Sequence, residues 1–455
     1  MKDSHNLNWD QLVEFVPQVM EKRGVPGVVL GVFHEGETRS AGFGVTNTDH
    51  PLPVTDETFF QTGSITKTFT ATAIMRLVET GKLELDATVR TYVPGFKVAD
   101  ETASSQATIR HLLTHTGGWF GDFFQDTGPG ENALPRYVAE MAGLEQLAPL
   151  GETWSYNNAG FSLAGYGIEV VTGKRYEDAL AELVLEPLGL ENTFFDPGDV
   201  MTHRFAVGHD VGDSGAEVAR PWPLPRSAYP AGGVICIVND LLCYARFHLG
   251  DGAAEDGTRL LTPESMSLMQ TTLAAVWKNE TFGLPWFLKG VDGTALVYHG
   301  GGTTGQVSQL TLVPERGLAV AVFTNANQGG TVTTDVTDWV MKHYLEVEIP
   351  RPEPMGASEA DLAPYVGRYS NPFTDIELGM LSGKLVAQVV FKRGFPDEDT
   401  PAPPAPPPAS LDLCEEDRLL VLNGPSKDRT IDVLRNPDGS IGWLRFGGRI
   451  NKREW

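Results

Sequence analysis

The stretch "TFFQTGSITKTFTATAIMRLVETGKL", residues 58–83, carries a single formal charge between Thr58 and Met75: Lys67, three positions after Ser64. Residues three apart are neighbours on a helix, so a helix beginning near Ser64 brings the Lys67 amine to the Ser64 hydroxyl. A lysine removed from water loses its preference for the charged form and becomes a usable base, which would turn the serine into a nucleophile. On a helical projection of residues 64–80, Thr68, Thr72, Arg76 and Glu79 share a polar face, while Lys67, Ala71, Ile74 and Val78 face the core. Gly63 allows a sharp turn at the helix start, where free backbone N–H groups collect, and Gly81 supplies a stop. Ser-x-x-Lys is short and recurs by chance, so it does not decide the chemistry alone.

Two further stretches carry groups suited to moving protons. "GETWSYNNAGFSLAGYG" sets Tyr156-Asn157-Asn158 in a loop leading into a helix over 158–172, and "VYHGGGTTG" sets His299-Gly300-Gly301 at the end of a strand. The elements that must position them are also legible. "VPGVVLGVFHEGETRSAGFGVTN" reads as a hairpin near the start, and "GQVSQLTLVPERGLAVAVFTNAN" as one near residue 314. Further helical patterns lie around "IRHLLTH" and over 175–186. Strands at both ends with helices between predict a mixed α/β (α+β) fold whose first and last strands share one sheet.

The aperiodic, Pro- and Glu-rich stretch 346–360 reads as a linker between a first domain, 1–345, and a second, 361–455. Short strands at "YVGRYSN", "DIELGMLSGKLVAQVVF", "RLLVLNG", "RTIDVLRN" and "IGWLRFGG" predict a small antiparallel β-barrel, interrupted by a proline-rich loop at 395–410.

In this order, Ser-x-x-Lys, Tyr-x-Asn and His-x-Gly resemble the serine beta-lactamase and penicillin-binding-protein superfamily, in its class C beta-lactamase, family VIII esterase and D-aminopeptidase branch. "LLTHTGG" at 112–118, "AGGV" at 231–234 and "PLGLENTFF" at 187–195 are similar to further landmarks of that family. The resemblance covers roughly residues 10–345 and implies an antiparallel sheet flanked by helices plus an all-helical subdomain. It implies Ser64 as nucleophile, Lys67 as its base, Tyr156 as proton shuttle and His299 as part of the proton network. The backbone N–H groups of Ser64 and Gly302 would form the oxyanion hole. Asn158 would bond Lys67 and the substrate amide, with Gly300 and Gly301 along the substrate.

The third motif departs from true beta-lactamases, whose Lys-Thr-Gly offers a cation and a hydroxyl to the drug's carboxylate. His299-Gly300 offers a titratable imidazole and no hydroxyl, which argues against strong beta-lactamase activity. Relatives with a C-terminal lipocalin-like barrel include D-amino-acid-specific peptidases and penicillin-binding-protein-type thioesterases that cyclise peptides. The expected activity is that of a serine hydrolase acting on esters or small D-residue peptides. A peptide cyclase, a weak beta-lactamase and a non-catalytic sensor are the alternatives.

Residues outside the motifs complete the expected site. Trp119, Phe120, Phe123 and Phe124 in "GGWFGDFFQD" could wall an apolar acyl pocket. Arg445, Arg449, Lys452 and Arg453 concentrate positive charge in the last strand, where Arg449 could read a substrate carboxylate. His111 and His115 stand four apart, as zinc ligands can, but no third ligand is evident, so no metal is expected and no cofactor either. The "GDSGA" at 212–216, the "HGGG" at 299–302 and the second Tyr-x-Asn at 369–371 lack the context their look-alike motifs need.

A net charge of −24 argues against nucleic acid and anionic membranes as partners. The expected partner is a small ester or peptide, with a homo-oligomer left open. No secretory signal is visible, and Cys236, Cys243 and Cys414 lack metal-type spacing, so a cytoplasmic protein with reduced thiols is expected.

Overall fold

The computed structural model describes residues 2–395 and 399–455. Its sheet is built on the two hairpins read from the sequence. Helix α1 (Lys2–Arg23) leads into β1 (Gly27–His34) and β2 (Glu37–Gly44). Strands β3 (Ala274–Trp277), β4 (Glu280–Phe282), β5 (Phe287–Val291), β6 (Thr294–Thr303), β7 (Gln306–Val313) and β8 (Leu318–Thr324) follow much later. They form one antiparallel sheet of order β2-β1-β8-β7-β6-β5-β4-β3, so the first and last hairpins meet where β1 pairs with β8, Leu30 opposite Val322.

Alternation along these strands creates two cores. Val28, Leu30 and Val32 pack with Val320, Val322, Leu12 and Val336 under the two terminal helices, whereas Val29 and Phe323 face the larger helical layer with Phe60 and Phe69. In that layer lies α2 (Thr66–Glu79), preceded by a tight 3₁₀ turn at Gly63–Ile65. Phe69, Ile74 and Leu77 are buried, each contributing about 1.5–3 kcal/mol of apolar burial. The face read as polar reaches solvent only in its second half, at Arg76 and Glu79: Thr68 and Thr72 are fully buried. Their hydroxyls are satisfied within the helix, Thr68 donating to Ile65 O at 2.8 Å and Thr72 to Thr68 O at 2.9 Å, so the threonines enter the core.

The remaining helices include α3 (Ile109–Leu113), α4 (Asn158–Thr172), α5 (Val238–Leu249) and α6 (Gly329–Leu345). The helical pattern at 175–186 is an α-helical turn over Tyr176–Leu180 followed by a π-helical turn over Ala181–Leu185. Among the described residues, no helix is long and apolar enough to cross a membrane.

After α6 the chain runs without regular structure to residue 358. Eight strands then close an antiparallel barrel: β9 (Gly367–Ser370), β10 (Thr374–Leu381), β11 (Lys384–Phe391), β12 (Ala409–Glu415), β13 (Arg418–Val421), β14 (Thr430–Arg435), β15 (Ile441–Phe446) and β16 (Arg449–Arg453). Strand β12, over "ASLDLCE", is a strand beyond those the sequence predicts, and it pairs with β11. Of the loop expected at 395–410, residues 396–398 lie outside the described residues, and 399–408 join β11 to β12 without regular structure. Inside the barrel Ile376, Leu378, Leu385, Leu411, Leu419, Val433 and Leu444 share one core, as the alternation of each strand requires.

Candidate active site

Ser64 lies in the 3₁₀ turn that opens α2, where its backbone faces the end of β6. Gly63 adopts a φ of 53°, and a Cβ there would come within 2.6 Å of Gly302 N. Gly301 is equally confined, since a Cβ would come within 1.9 Å of Thr62 O and 2.9 Å of Ser64 N. The glycine pair therefore lets two backbones approach side by side at the serine. Lys67, fully buried one turn later, stands 3.0 Å from Ser64 Oγ and donates to Ala231 O at 2.6 Å, in the "AGGV" stretch. Burial, and secondarily the Arg449 guanidinium, hold the Lys67 pKa well below its usual range, with Asp122 opposing.

Tyr156 ends the loop before α4, whose N-cap Asn157 accepts from Gly160 N at 2.7 Å. The Lys67 amine lies 4.9 Å from the Tyr156 ring centre. The Tyr156 hydroxyl is buried without a hydrogen-bond partner among the described residues. Burial raises its pKa, opposed by the Ser64 hydroxyl and by Arg449. His115 packs against Tyr156 with ring centres 4.3 Å apart, and its Nδ1 accepts from Asn157 N at 3.0 Å, which leaves the proton on Nε2. His111 instead closes a capping box with Thr108 at the start of α3.

His299 is buried on β6, its ring centre 6.3 Å from that of Tyr156. Its Nδ1 lies 2.6 Å from Gly300 O, a contact that requires the proton on Nδ1 and leaves Nε2 as an acceptor. Nε2 has no partner among the described residues. Burial and then the positive charge of Lys67 push the imidazole pKa down to about 3, so His299 is neutral across the physiological range.

The structure changes two expectations, for Asn158 and for the aromatic wall, and keeps Arg449 at the site. Asn158 does not serve Lys67: its amide donates to Asp122 Oδ1 at 2.7 Å, because the acid lies directly before it and Lys67 is held by Ala231. Trp119 and Phe120 are core residues, 1% and 4% exposed, and the cavity wall is left to Phe123 and Phe124. Of the four basic residues in the last strand region, Arg449 alone binds Asp122 beside Tyr156, and Arg445 lines the second cavity described below. Arg445 is buried on Asp432, Arg453 donates to Val366 O, and Lys452 is exposed.

Asp122, for which the sequence carries no local signal because its partners are distant in the chain, accepts from Asn158 and takes two bonds from Arg449, at 2.9 and 3.2 Å. The barrel reaches the site by backbone as well. Tyr156 N donates to Gly448 O at 2.9 Å, and Trp443 Nε1 to Leu147 O at 2.9 Å. Gly448, with a φ of 81°, sits against Trp154 and Tyr156, where a Cβ would be 3.2–3.3 Å from both side chains.

Two cavities meet at Ser64. One, of about 390 Å³, is lined by Asp122, Phe124, Asn158, Phe391 and Phe446 among others. The second, of about 920 Å³, is lined by Tyr156, Glu280, His299, Arg418 and Arg445 among others. The turn from Phe446 to Arg449 borders both.

A buried lysine beside a serine, with a tyrosine and an imidazole at one sheet edge, is the arrangement that the motif order implied. The chain belongs to the beta-lactamase family, whose model, Beta-lactamase, matches residues 12–342. Penicillin-binding protein 4 of Amycolatopsis lactamdurans is 37% identical over 355 residues, 76% of this chain and 93% of that protein. The Unguisins hydrolase ungD' of Aspergillus campestris is 25% identical over 431 residues, 89% of this chain and 74% of that protein. The crystal structure of SurE is similar over 99% of this chain and 100% of its own, barrel included, at 26% identity and a TM-score of 0.77. SurE has also been solved with D-Leu, at 25% identity and a TM-score of 0.75, over 98% of this chain and 100% of that one.

Proposed function

We propose that this chain is a serine acyl hydrolase that forms an acyl-Ser64 intermediate on esters or small peptides containing D-residues. The observation that carries this reading is the fully buried Lys67 amine 3.0 Å from Ser64 Oγ. Its pKa, held below the usual lysine range by burial, favours the neutral form that can take the serine proton as Oγ bonds to the substrate carbonyl carbon. The carbonyl oxygen, now an oxyanion, would be met by the backbone N–H groups of Ser64 and Gly302. Tyr156 would give its hydroxyl proton to the leaving group as the bond from that group to carbon breaks, and Lys67, carrying the serine proton, would restore it, with the free Nε2 of neutral His299 open as an acceptor for the incoming water. Water activated by the same groups would then release the acyl chain. The preference for D-residues draws support from the D-Leu complex of SurE.

Arg449 keeps 36% of its side chain exposed and borders both cavities, so a substrate carboxylate could take over its bonds from Asp122. Unchanged KM for peptide substrates in Arg449→Ala would remove that role.

A second reading, attack on the acyl enzyme by the peptide's own amine to give a ring, draws support from the second cavity of about 920 Å³ beside Tyr156 and His299, which has room for an incoming amine. Peptide thioesters distinguish the two readings by the ratio of cyclic to linear product. The primary test is hydrolysis of p-nitrophenyl butyrate with mass-spectrometric detection of the acyl adduct. Wild type should turn over and carry the adduct on Ser64, and Ser64→Ala should do neither. An inactive, unlabelled wild type would leave a binding protein as the better description.

A further inference from the structure

We infer that the open end of the C-terminal barrel is the pocket for the acyl group, and that this group carries a bulky apolar side chain. The inference rests on the acyl-Ser64 reading and adds the part of the molecule that selects the acyl chain. Its basis is strand register. On β11, Leu385 and Ala387 are buried in the barrel core, so Val389 and Phe391, two and four residues beyond Ala387, continue the same inward face toward the barrel end. On β10, Ile376 belongs to the same core and pairs with Val389, and Thr374 pairs with Phe391. On β15 and β16, Phe446 stands opposite Arg449 and core residue Leu444 opposite Asn451, so these pairs also face inward. All of these mouth residues line the 390 Å³ cavity that contains Ser64. The barrel end is therefore not plugged, and the first domain closes it with Phe123, Phe124 and Tyr137. Small β-barrels commonly hold one apolar ligand in this way.

Proton traffic decides which half of the substrate enters. The group that protonates the leaving atom must stand next to it, and Tyr156 and His299 line only the second, polar cavity. The leaving group and any incoming nucleophile belong there, among Glu280, Arg418 and Arg445. The acyl side, with the amide of Asn158 beside it, belongs to the barrel mouth. The Phe446–Arg449 turn divides the two. Phe373, Phe391 and Val389 are half-buried, leaving apolar surface to meet a substrate.

The test is a series of p-nitrophenyl esters with acyl groups growing from acetyl through butyryl to 3-phenylpropionyl. The readout is the ratio of kcat/KM for phenylpropionyl over acetyl. Wild type should favour phenylpropionyl by about tenfold or more. Phe391→Ala and Phe373→Ala should each lower the ratio about tenfold, and Val389→Trp, which fills the mouth, should lower it at least as far. Phe124→Ala, on the opposite wall, gives the same reading should a barrel variant fail to fold. A ratio within twofold of wild type in every soluble variant overturns the inference. So does a change confined to a parallel series in which the acyl group stays acetyl and the leaving phenol varies. Absence of Ser64-dependent turnover of any ester by the wild type would defeat the acyl-serine reading itself, before any barrel variant is measured.

Discussion

Arg449, on the last strand of the barrel, holds its guanidinium 4.6 Å from the ring centre of Tyr156, on the loop before α4, and binds Asp122 with its Nε at 2.9 Å. A residue near the end of the chain thereby sets the field at a serine near its beginning. The guanidinium is the second cause, after burial, of the depressed Lys67 pKa.

Removing it should be visible in the pH profile. In Arg449→Ala the Lys67 amine loses a repelling positive charge and keeps Asp122, so its pKa climbs. The rising limb of kcat/KM against pH should then move to higher pH. Arg449→Lys keeps the charge without the two-pronged grip on Asp122 and should shift the limb less. A limb that stays in place, or moves to lower pH, would contradict this coupling.

The glycines of β6 make unequal demands. A methyl group at Gly301 meets the Thr62 carbonyl and the Ser64 amide, both backbone, and can be relieved only by moving the strand away from the serine. Gly301→Ala should therefore lower kcat/KM about a hundredfold or more, the size of losing an oxyanion donor. At Gly300 the nearest atom, at 3.0 Å, is the Gln309 side-chain Oε1, which can swing aside. Gly300→Ala should cost less than about tenfold, since no oxyanion donor is displaced. Steady-state kinetics on one ester compare the pair, and equal losses would remove the argument from close approach.

The motifs were legible because each rests on neighbours in the chain: Ser64 with Lys67, Tyr156 with Asn158, His299 with its glycines. The hairpins and the helix over 158–172 were legible for the same reason, since alternation and turn residues are local signals. What depends on a distant surface was not. Helix α2 is enclosed on all sides at its start, and Thr68 and Thr72 hide their hydroxyls against its own backbone, so a polar stripe reported nothing about exposure. In "GGWFGDFFQD" four aromatics look alike, yet Trp119 and Phe120 turn into the core while Phe123 and Phe124 line the cavity, Phe124 against Phe373. Asp122 acquires its meaning only from Arg449, 327 residues away. Strand β12 follows a proline-rich stretch and pairs with β13 through a bulge between Leu413 and Glu415, which blurs its alternation.

Lys67 can be tested for its part in proton transfer without cutting a hole in the core. Methionine has nearly the same length and no basic nitrogen. Lys67→Met should lower kcat/KM by about a thousandfold, within the range ascribed to general acid–base groups. Because the folded protein holds the amine below its usual pKa, wild-type stability rises with pH as far as the pKa of the unfolded lysine, about 10.4. Lys67→Met should flatten that rise as pH approaches 10 in urea unfolding. An unchanged slope would mean that the amine is not held neutral in the fold.

Acid should weaken the protein before its carboxylates titrate. His248, buried against Tyr244 and Trp286, and His299 both have pKa values pushed down to about 3, by burial in each case and additionally by Lys67 at His299. A pKa depressed on folding means that the unfolded chain binds the proton more readily. The stability these rings contribute is therefore complete above the ordinary histidine value near 6.5 and is lost as pH falls towards 3. Each ring should remove up to about 1.4 kcal/mol of unfolding free energy per pH unit through that window. Buried His115, also depressed well below its usual value, adds to the same slope. Urea midpoints at pH 7, 6 and 5 measure it. A midpoint that holds steady over those two units would mean that the rings reach water or a partner that the fold does not show, and the neutral His299 acceptor would fall with it.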